Sequence, residues 1–357
     1  MFARKSLKTL ESWHQSRKRK PLILRGARQV GKSSLVSLFA RLKNLNLIEI
    51  NFETTFLESL KKSVIDIELV LQDLELTTGK KLNPQKDLIF LDEIQKCPNA
   101  LLSLRYFYEN KSEYAVIAAG SLLDFLLQDT EISFPVGRVD FLTLGPVSFS
   151  EFLKATKQDL LYEEFNKNLQ KSSNVAHRLL MDQYRIFCAI GGMPESVQVY
   201  LDSKDFFAVR KIHRSILQTY KADFLKYAKK HEIFRCEKIF DYVPTHLGQK
   251  IKYTEIDSNE KARDLKKAIE TLRYARVLYS VSHTNATAVP LQAFMDDTVF
   301  KLFFLDIGLS LTHAEEEFKN ILHGESVLSG PMAEQYVAQH LAHLDPEREC
   351  ICIFCII

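Results

Sequence analysis

The chain has little that would tie it to a membrane, an oxidising compartment or a polyanion. No run approaches the roughly 18 apolar residues that a membrane-spanning helix needs. The opening Met1 Phe2 Ala3 Arg4 Lys5 lacks the apolar stretch and cleavage site of a secretory signal. Six cysteines in 357 residues are too sparse for a disulfide scaffold. Three of them, Cys350, Cys352 and Cys355, make a C-x-C-x-x-C tail, but a metal held there needs a fourth ligand to complete a tetrahedron. Reduced thiols, a cytoplasmic location and no membrane contact are the expectations. Lysine and arginine outnumber aspartate and glutamate by 48 to 45, too small an excess to argue for nucleic acid without local clusters. Long Gly, Ser or Pro tracts are also missing, and 46% hydrophobic with 26% charged residues describe a chain that folds. Its length calls for two or three domains, since one core rarely serves more than about 200 residues.

What is present begins with one glycine loop. Leu22 Ile23 Leu24 is a short apolar run after Pro21, long enough for a buried strand, and it leads into Gly26 Ala27 Arg28 Gln29 Val30 Gly31 Lys32 Ser33 Ser34. Helical apolar spacing follows from Ser34 to Leu42. Strand, glycine loop and helix in this order form a P-loop, the context in which G-x-x-x-x-G-K-S holds the phosphates of a nucleotide. Gly26 and Gly31 stand where the backbone turns tightly and approaches oxygens that a Cβ would obstruct. Loop amides and the helix N-terminus make an anion concavity. Lys32 then reaches the β- and γ-phosphates, and the Ser33 hydroxyl becomes a ligand of Mg2+. A glycine turn with an incidental lysine leaves the flanking order unexplained.

The other half of such a site belongs at the end of a neighbouring strand. Asp87 to Asp92 (DLIFLD) is a near-continuous apolar run of the kind that fills a central strand covered on both faces. It ends in Asp92, a partner for magnesium, and Glu93, a carboxylate able to orient and polarise an attacking water. ATP hydrolysis is the reaction this pair predicts. Tyr114 to Ala119 (YAVIAA) is another buried strand, and Ser121 after it serves either as a helix cap or as a hydroxyl near the γ-phosphate. Arg138, in Pro135 Val136 Gly137 Arg138, is a cation for the charge that develops in phosphoryl transfer, or a structural partner of a carboxylate. Guanine readers need D-x-x-G and N-K-x-D. Here Asp92 is followed by Glu93 Ile94 Gln95, and the nearest basic match, Thr156 Lys157 Gln158 Asp159, lies in helical sequence, so ATP is preferred to GTP.

The remaining pattern predicts strands at Leu45 to Phe52 and Val139 to Leu144, and helices at Phe56 to Leu76 and from Pro98 to about Asn110. These pieces make a three-layer α/β core with a parallel five-stranded sheet. From Ser148 onward helices dominate: Phe149 to Thr156, Asn174 to Ile190, Pro194 to Tyr200 and Phe206 to Tyr227, broken by the Gly191 Gly192 Met193 Pro194 turn. Residues 232 to 283 carry the order of a winged helix-turn-helix. Its helices include Lys252 to Ile256 and Ala262 to Tyr274, and its wing strands are Val277 to Val281 and Ala288 to Leu291. It carries Lys250, Lys252, Lys261, Arg263, Lys266, Lys267, Arg273 and Arg276. Glu255, Asp257, Glu260, Asp264 and Glu270 interrupt them, leaving duplex DNA and a solvated or protein-contacting face both open. Arg17 Lys18 Arg19 Lys20 is a solvated helix end or a nucleic-acid contact. Lys301 to Leu305 reads as a further strand and Gly330 to Leu344 as a helix.

With GARQVGKS, LIFLDE, AAGS and GRV in this order, the first 150 residues resemble the AAA+ ATPases. More narrowly, the chain resembles the prokaryotic predicted ATPases that join such a core to a C-terminal domain of unknown function. Gly137 Arg138 Val139, Leu144 to Phe152, Gly191 to Glu195 and Tyr220 to Lys226 carry that narrower likeness. The resemblance implies a core at 1–147, a helical section at 148–230, a winged-helix-like module at 231–295 and a partial α/β segment at 296–357. It also implies a homo-oligomer, in which Arg138 serves its own site or a neighbour's. Family members continue past Asp306 and the Gly330 to Leu341 helix into further strands, so the end at Cys350 to Ile357 is expected to be truncated. No D…[DE]-x-K set can be placed for a nuclease.

Overall fold

Short, mainly apolar runs become strands, and five of them lie side by side. β1 (Leu22–Arg25), β2 (Asn46–Asn51), β3 (Asp87–Asp92), β4 (Ala115–Ala119) and β5 (Asp140–Thr143) form one parallel sheet in the order β2-β3-β4-β1-β5. The computed structural model describes residues 2, 4–62, 64–121, 123–126, 137–167, 173–227, 230–284 and 295–344. Every residue of β3 and β4 is buried, as central strands require. β2, at the sheet edge, alternates: Ile48 and Ile50 point inward and Glu49 is exposed.

Parallel neighbours need crossovers, and helices supply them. α1 (Ser6–Gln15) precedes β1, and α2 (Lys32–Leu42), α3 (Ile67–Thr78) and α4 (Pro98–Asn110) connect β1 to β2, β2 to β3 and β3 to β4. The short α5 (Leu123–Leu126) follows β4. Ile23, Ile89 and Val116 of the sheet pack with Leu74, Leu104 and Phe107 of the helices in one core. Each such side chain contributes roughly 1.5–3 kcal/mol by its burial. α1 occupies a stretch to which the sequence reading assigns no element, yet Leu7, Leu10 and Trp13 recur every third residue and are buried. The stretch from Phe56 to Leu76 is not one helix. A 3-10 turn covers Glu58–Lys61, and α3 begins only at Ile67, where the Asp66 side chain accepts from the Glu68 amide. That cap holds residue 66 extended and stops the helix from running back, which leaves Phe56 and Val64 exposed.

Arg4–Leu144 is one compact unit and the chain from Gly145 onward is another. In the latter come α6 (Phe149–Ala155), α7 (Asp159–Asn166), α8 (Asn174–Ile190), α9 (Pro194–Ser203), α10 (Phe206–Tyr227) and α11 (Lys230–Thr245). Ser148 and Glu151 close a capping box on α6, satisfying two free amides at once. Next are α12 (Tyr253–Ile256), α13 (Ala262–Tyr274), the antiparallel strands β6 (Leu278–Thr284) and β7 (Met295–Phe304), then α14 (Ile307–His313), α15 (Phe318–His323) and α16 (Ser329–Leu344). The strand expected at Lys301 to Leu305 is the far half of β7, with Phe304 paired to Leu278. A division at 295/296 therefore falls inside a hairpin strand. Ala288 to Leu291, expected as a wing strand, and the tail with Cys350, Cys352 and Cys355 lie outside the described residues.

The Gly191 Gly192 turn is built for close approach. A Cβ on Gly191 would lie 2.1 Å from Asp306 Oδ1, and one on Gly192 would lie 2.2 Å from the Val147 carbonyl oxygen. Asp306 is fully buried and accepts from the Gly192 amide at 2.6 Å and the Leu309 amide at 3.1 Å. Burial nonetheless pushes its carboxyl up to about 6. Among the described residues no helix is long and apolar enough to cross a membrane.

Candidate functional site

The glycine loop starts where β1 meets the end of β5. Leu144 donates its amide to the Arg25 carbonyl, and a Cβ on Gly26 would lie 2.1 Å from the Leu144 carbonyl oxygen. With φ at +143° as well, only glycine serves at position 26. Ala27 and Val30 are buried, while Gln29 (φ +64°) and Gly31 (φ +93°) turn the backbone left-handed before α2 begins at Lys32. Turns of this kind gather successive amides on one side and favour anions. Arg28 is half-buried, and Ser34 is exposed on the first turn of α2.

Lys32 is only 8% exposed, and its Nζ donates to the Gly26 carbonyl at 3.0 Å and to that of Ala27 at 2.9 Å. Burial pulls the amine down to about 8, and Arg28 adds to the loss. Glu93, Asp92 and Asp124 pull the other way. The residues thus gather three carboxylates around a lysine held inside a glycine loop.

Ser33 donates its hydroxyl to Asp92 Oδ2 at 2.7 Å, and the other oxygen of Asp92 accepts the Glu93 amide at 3.0 Å. A hydroxyl and a carboxylate at one point are the oxygen donors that Mg2+ takes, so these residues fit that ion. Glu93 directly after β3 adopts φ +50°, a left-handed conformation costing a non-glycine residue on the order of 1 kcal/mol. The side chain of Gln95 donates to its carboxylate.

Ser121 stands two residues past β4. Leu91 pairs with Ala118 and Leu24 with Ala119, so Ser121, Glu93 and Gly26 leave the sheet at the same edge. Arg138 is placed differently: its Nε meets Glu109 Oε1 of α4 at 3.0 Å, with the guanidinium 5.9 Å from the Tyr108 ring. Pro135 and Val136 before it lie outside the described residues. Lys32, Ser33, Asp92 and Glu93 are therefore brought together, Ser121 shares their edge, and Arg138 pairs with α4.

Neighbours of the site escape the sequence reading. Arg4 donates to the Val30 carbonyl at 3.3 Å, Arg25 lies 3.7 Å from Asp124 and 3.5 Å over the Phe141 ring, and Gln95 engages Glu93. Only Arg25, a charge closing an apolar strand, had a visible signal. In the second unit four cations of α13 and α11 meet carboxylates: Lys267 with Glu232 at 2.5 Å, Arg235 with Glu260 at 2.6 Å, Lys238 with Asp257, and Arg263 with Asp264 at 3.6 Å.

Residues 18–153 match a family model described as an AAA domain, and residues 181–318 one described as a domain of unknown function (DUF8612). No curated protein matches the chain. Among solved structures, the Walker-type ATPase paby2304 of Pyrococcus abyssi is 17% identical with a TM-score of 0.52, the match covering 88% of this chain and 96% of that one. The ORC2 protein of Aeropyrum pernix, solved in ADPNP-ADP complexes, is 11% identical with a TM-score of 0.45, covering 91% and 95%. At such identities the likeness to the Pyrococcus structure speaks for the fold alone.

Proposed function

Because the chain carries an AAA+ P-loop ATPase domain followed by a second domain of unknown function, we propose that it binds ATP with Mg2+ and hydrolyses it to drive a conformational switch. The observation that carries this reading is the 2.7 Å bond between Ser33 and Asp92 with Glu93 next in the chain. Residues Gly26 to Ser34 cradle the phosphates, and Lys32 exchanges its two carbonyl partners for phosphate oxygens. Ser33 and Asp92 hold the magnesium, which when bound offsets phosphate charge. Glu93 takes a proton from water as the water oxygen bonds to the γ-phosphorus and the bond to the β–γ bridging oxygen breaks. ADP leaves with that electron pair, and the proton passes on to solvent. Ser121 orients the water or the γ-phosphate from the same edge. Arg138, paired with Glu109, serves structure within one chain; a catalytic role falls to it only toward a neighbouring copy in a homo-oligomer.

A second reading, a DNA-binding or regulatory scaffold that keeps ATP as an ordering ligand, draws on the order of α11, α12, α13, β6 and β7, which is that of a winged-helix-like module. Lys267, Arg235 and Lys238 of this module are held by carboxylates, and a protein partner and duplex DNA both stay open for it. Phosphate release by the full chain, with and without duplex DNA and with magnesium chelated, separates the two. Turnover that stops on chelation supports the first reading; ATP binding without turnover in every condition contradicts it and supports the scaffold.

A further inference from the structure

Glu93 does not hold its carboxylate alone. Gln95 donates from Nε2 to Glu93 Oε2, while its own Oε1 is buried with no hydrogen-bond partner. A buried carbonyl left unpaired costs about 1–3 kcal/mol, so the amide is not placed there for its own satisfaction. Turning it over is worse, because Oε1 would then face the carboxylate of Glu93. What seats the amide from behind is Gly120, between β4 and Ser121. A Cβ on Gly120 would lie 2.2 Å from Gln95 Oε1 and 3.2 Å from its Cδ. Gly120 is not among the glycines with positive φ, so its backbone does not ask for glycine; the room for Gln95 does.

We propose that Gln95 is a positioning residue for Glu93, seated by Gly120, so that one carboxylate oxygen is held by the amide and the other is left for the attacking water. The inference rests on the reading of Glu93 as the base. It also explains why a glycine follows β4: Gly120 ties the end of that strand to the carboxylate just after β3 through one side chain. A base must stay within about 3 Å of the proton it takes, and a displacement of about 1 Å lowers the rate on the order of a hundredfold. No hydrogen bond of Gln95 reaches the glycine loop, so nucleotide affinity is independent of it.

Two variants attack the contact from opposite sides. Gln95→Met keeps the length and removes the donor. Gly120→Ala keeps the glutamine and fills its seat, and the atom displaced is the tip of a flexible side chain rather than backbone. Phosphate release and ATP binding are measured on the full chain for each variant, the double variant and Glu93→Gln. The expected result is a kcat lower by about 10- to 100-fold in each single variant, with KM and the ATP Kd within about twofold of wild type. The double variant is expected to be no slower than the slower single, because both changes remove the same contact. Wild-type kcat in either variant that still binds ATP overturns the inference, and a loss of turnover in Glu93→Gln then leaves the base reading standing. A wild-type chain that releases no phosphate overturns both. Where one variant no longer binds ATP, the other decides.

Discussion

Raising the pH from 7 to 9 should loosen nucleotide binding, because the lysine of the glycine loop loses its proton in that range. Burial holds Lys32 near 8, so its protonated fraction falls from about nine-tenths at pH 7 to about one-tenth at pH 9. Phosphate oxygens favour the charged amine, which puts the bound-state value above that of the free protein. Binding therefore takes up protons in this window, about 0.5 per nucleotide at pH 8, and Kd rises about tenfold between pH 7 and 9. The nucleotide's own last phosphate ionisation, near pH 6, is complete before the window opens. For folding without nucleotide the sign is as follows: the folded value lies below the ordinary 10.5, the unfolded chain binds more protons between about 8 and 10.5, and stability rises with pH there. Titration calorimetry at pH 8 with a non-hydrolysable ATP analogue, in two buffers of different ionisation heat, measures the proton uptake directly. Lys32→Arg, whose guanidinium keeps its charge, should show none. A wild-type affinity that is flat from pH 7 to 9, with no proton taken up, refutes the reasoning.

Two further predictions concern stability. Asp306 has a folded value near 6 against an ordinary 3.8, so its favourable contribution is complete below about 3.8 and is lost as pH rises through 6. The stability difference between wild type and Asp306→Asn should therefore move by about 2 kcal/mol toward the variant between pH 4 and 7, read from denaturant midpoints. An unchanged difference across that range would show that Asp306 does not titrate there. Gly26→Ala puts a Cβ against backbone at an impermissible φ, whereas Gly79→Ala meets open space at φ +67°. Thermal melts should show the first losing several degrees along with ATP binding and the second losing about 1 kcal/mol, with equal losses as the contradicting result.

The strands of the core were legible because a central strand covered on both faces is apolar between its ends, as the LIFL of DLIFLD and the AVIAA of YAVIAA are. The loop from Gly26 to Ser34 and the pair Asp92 and Glu93 were legible because phosphate chemistry fixes residue types at fixed spacing, and the Ser33–Asp92 bond joins the two segments across 59 residues. Elsewhere the reading failed where a local cap outweighed periodicity, as at Asp66, or where a strand's partner lay beyond a long connection, as for β7 and β6. Arg138 and Glu109 are 29 residues apart with nothing in either neighbourhood to link them. Gln95 carried no spacing signal at all; only the missing side chain of Gly120 reveals what it does.

ATP hydrolysis with Glu93 as the base is tested most directly by one comparison, the wild-type chain against Glu93→Gln, in phosphate release and in ATP binding under the same magnesium concentration. The expected result is that the variant binds ATP as wild type does and loses turnover by two orders of magnitude or more. Equal turnover in the two proteins, with ATP bound by both, would contradict the assignment of hydrolysis to this carboxylate.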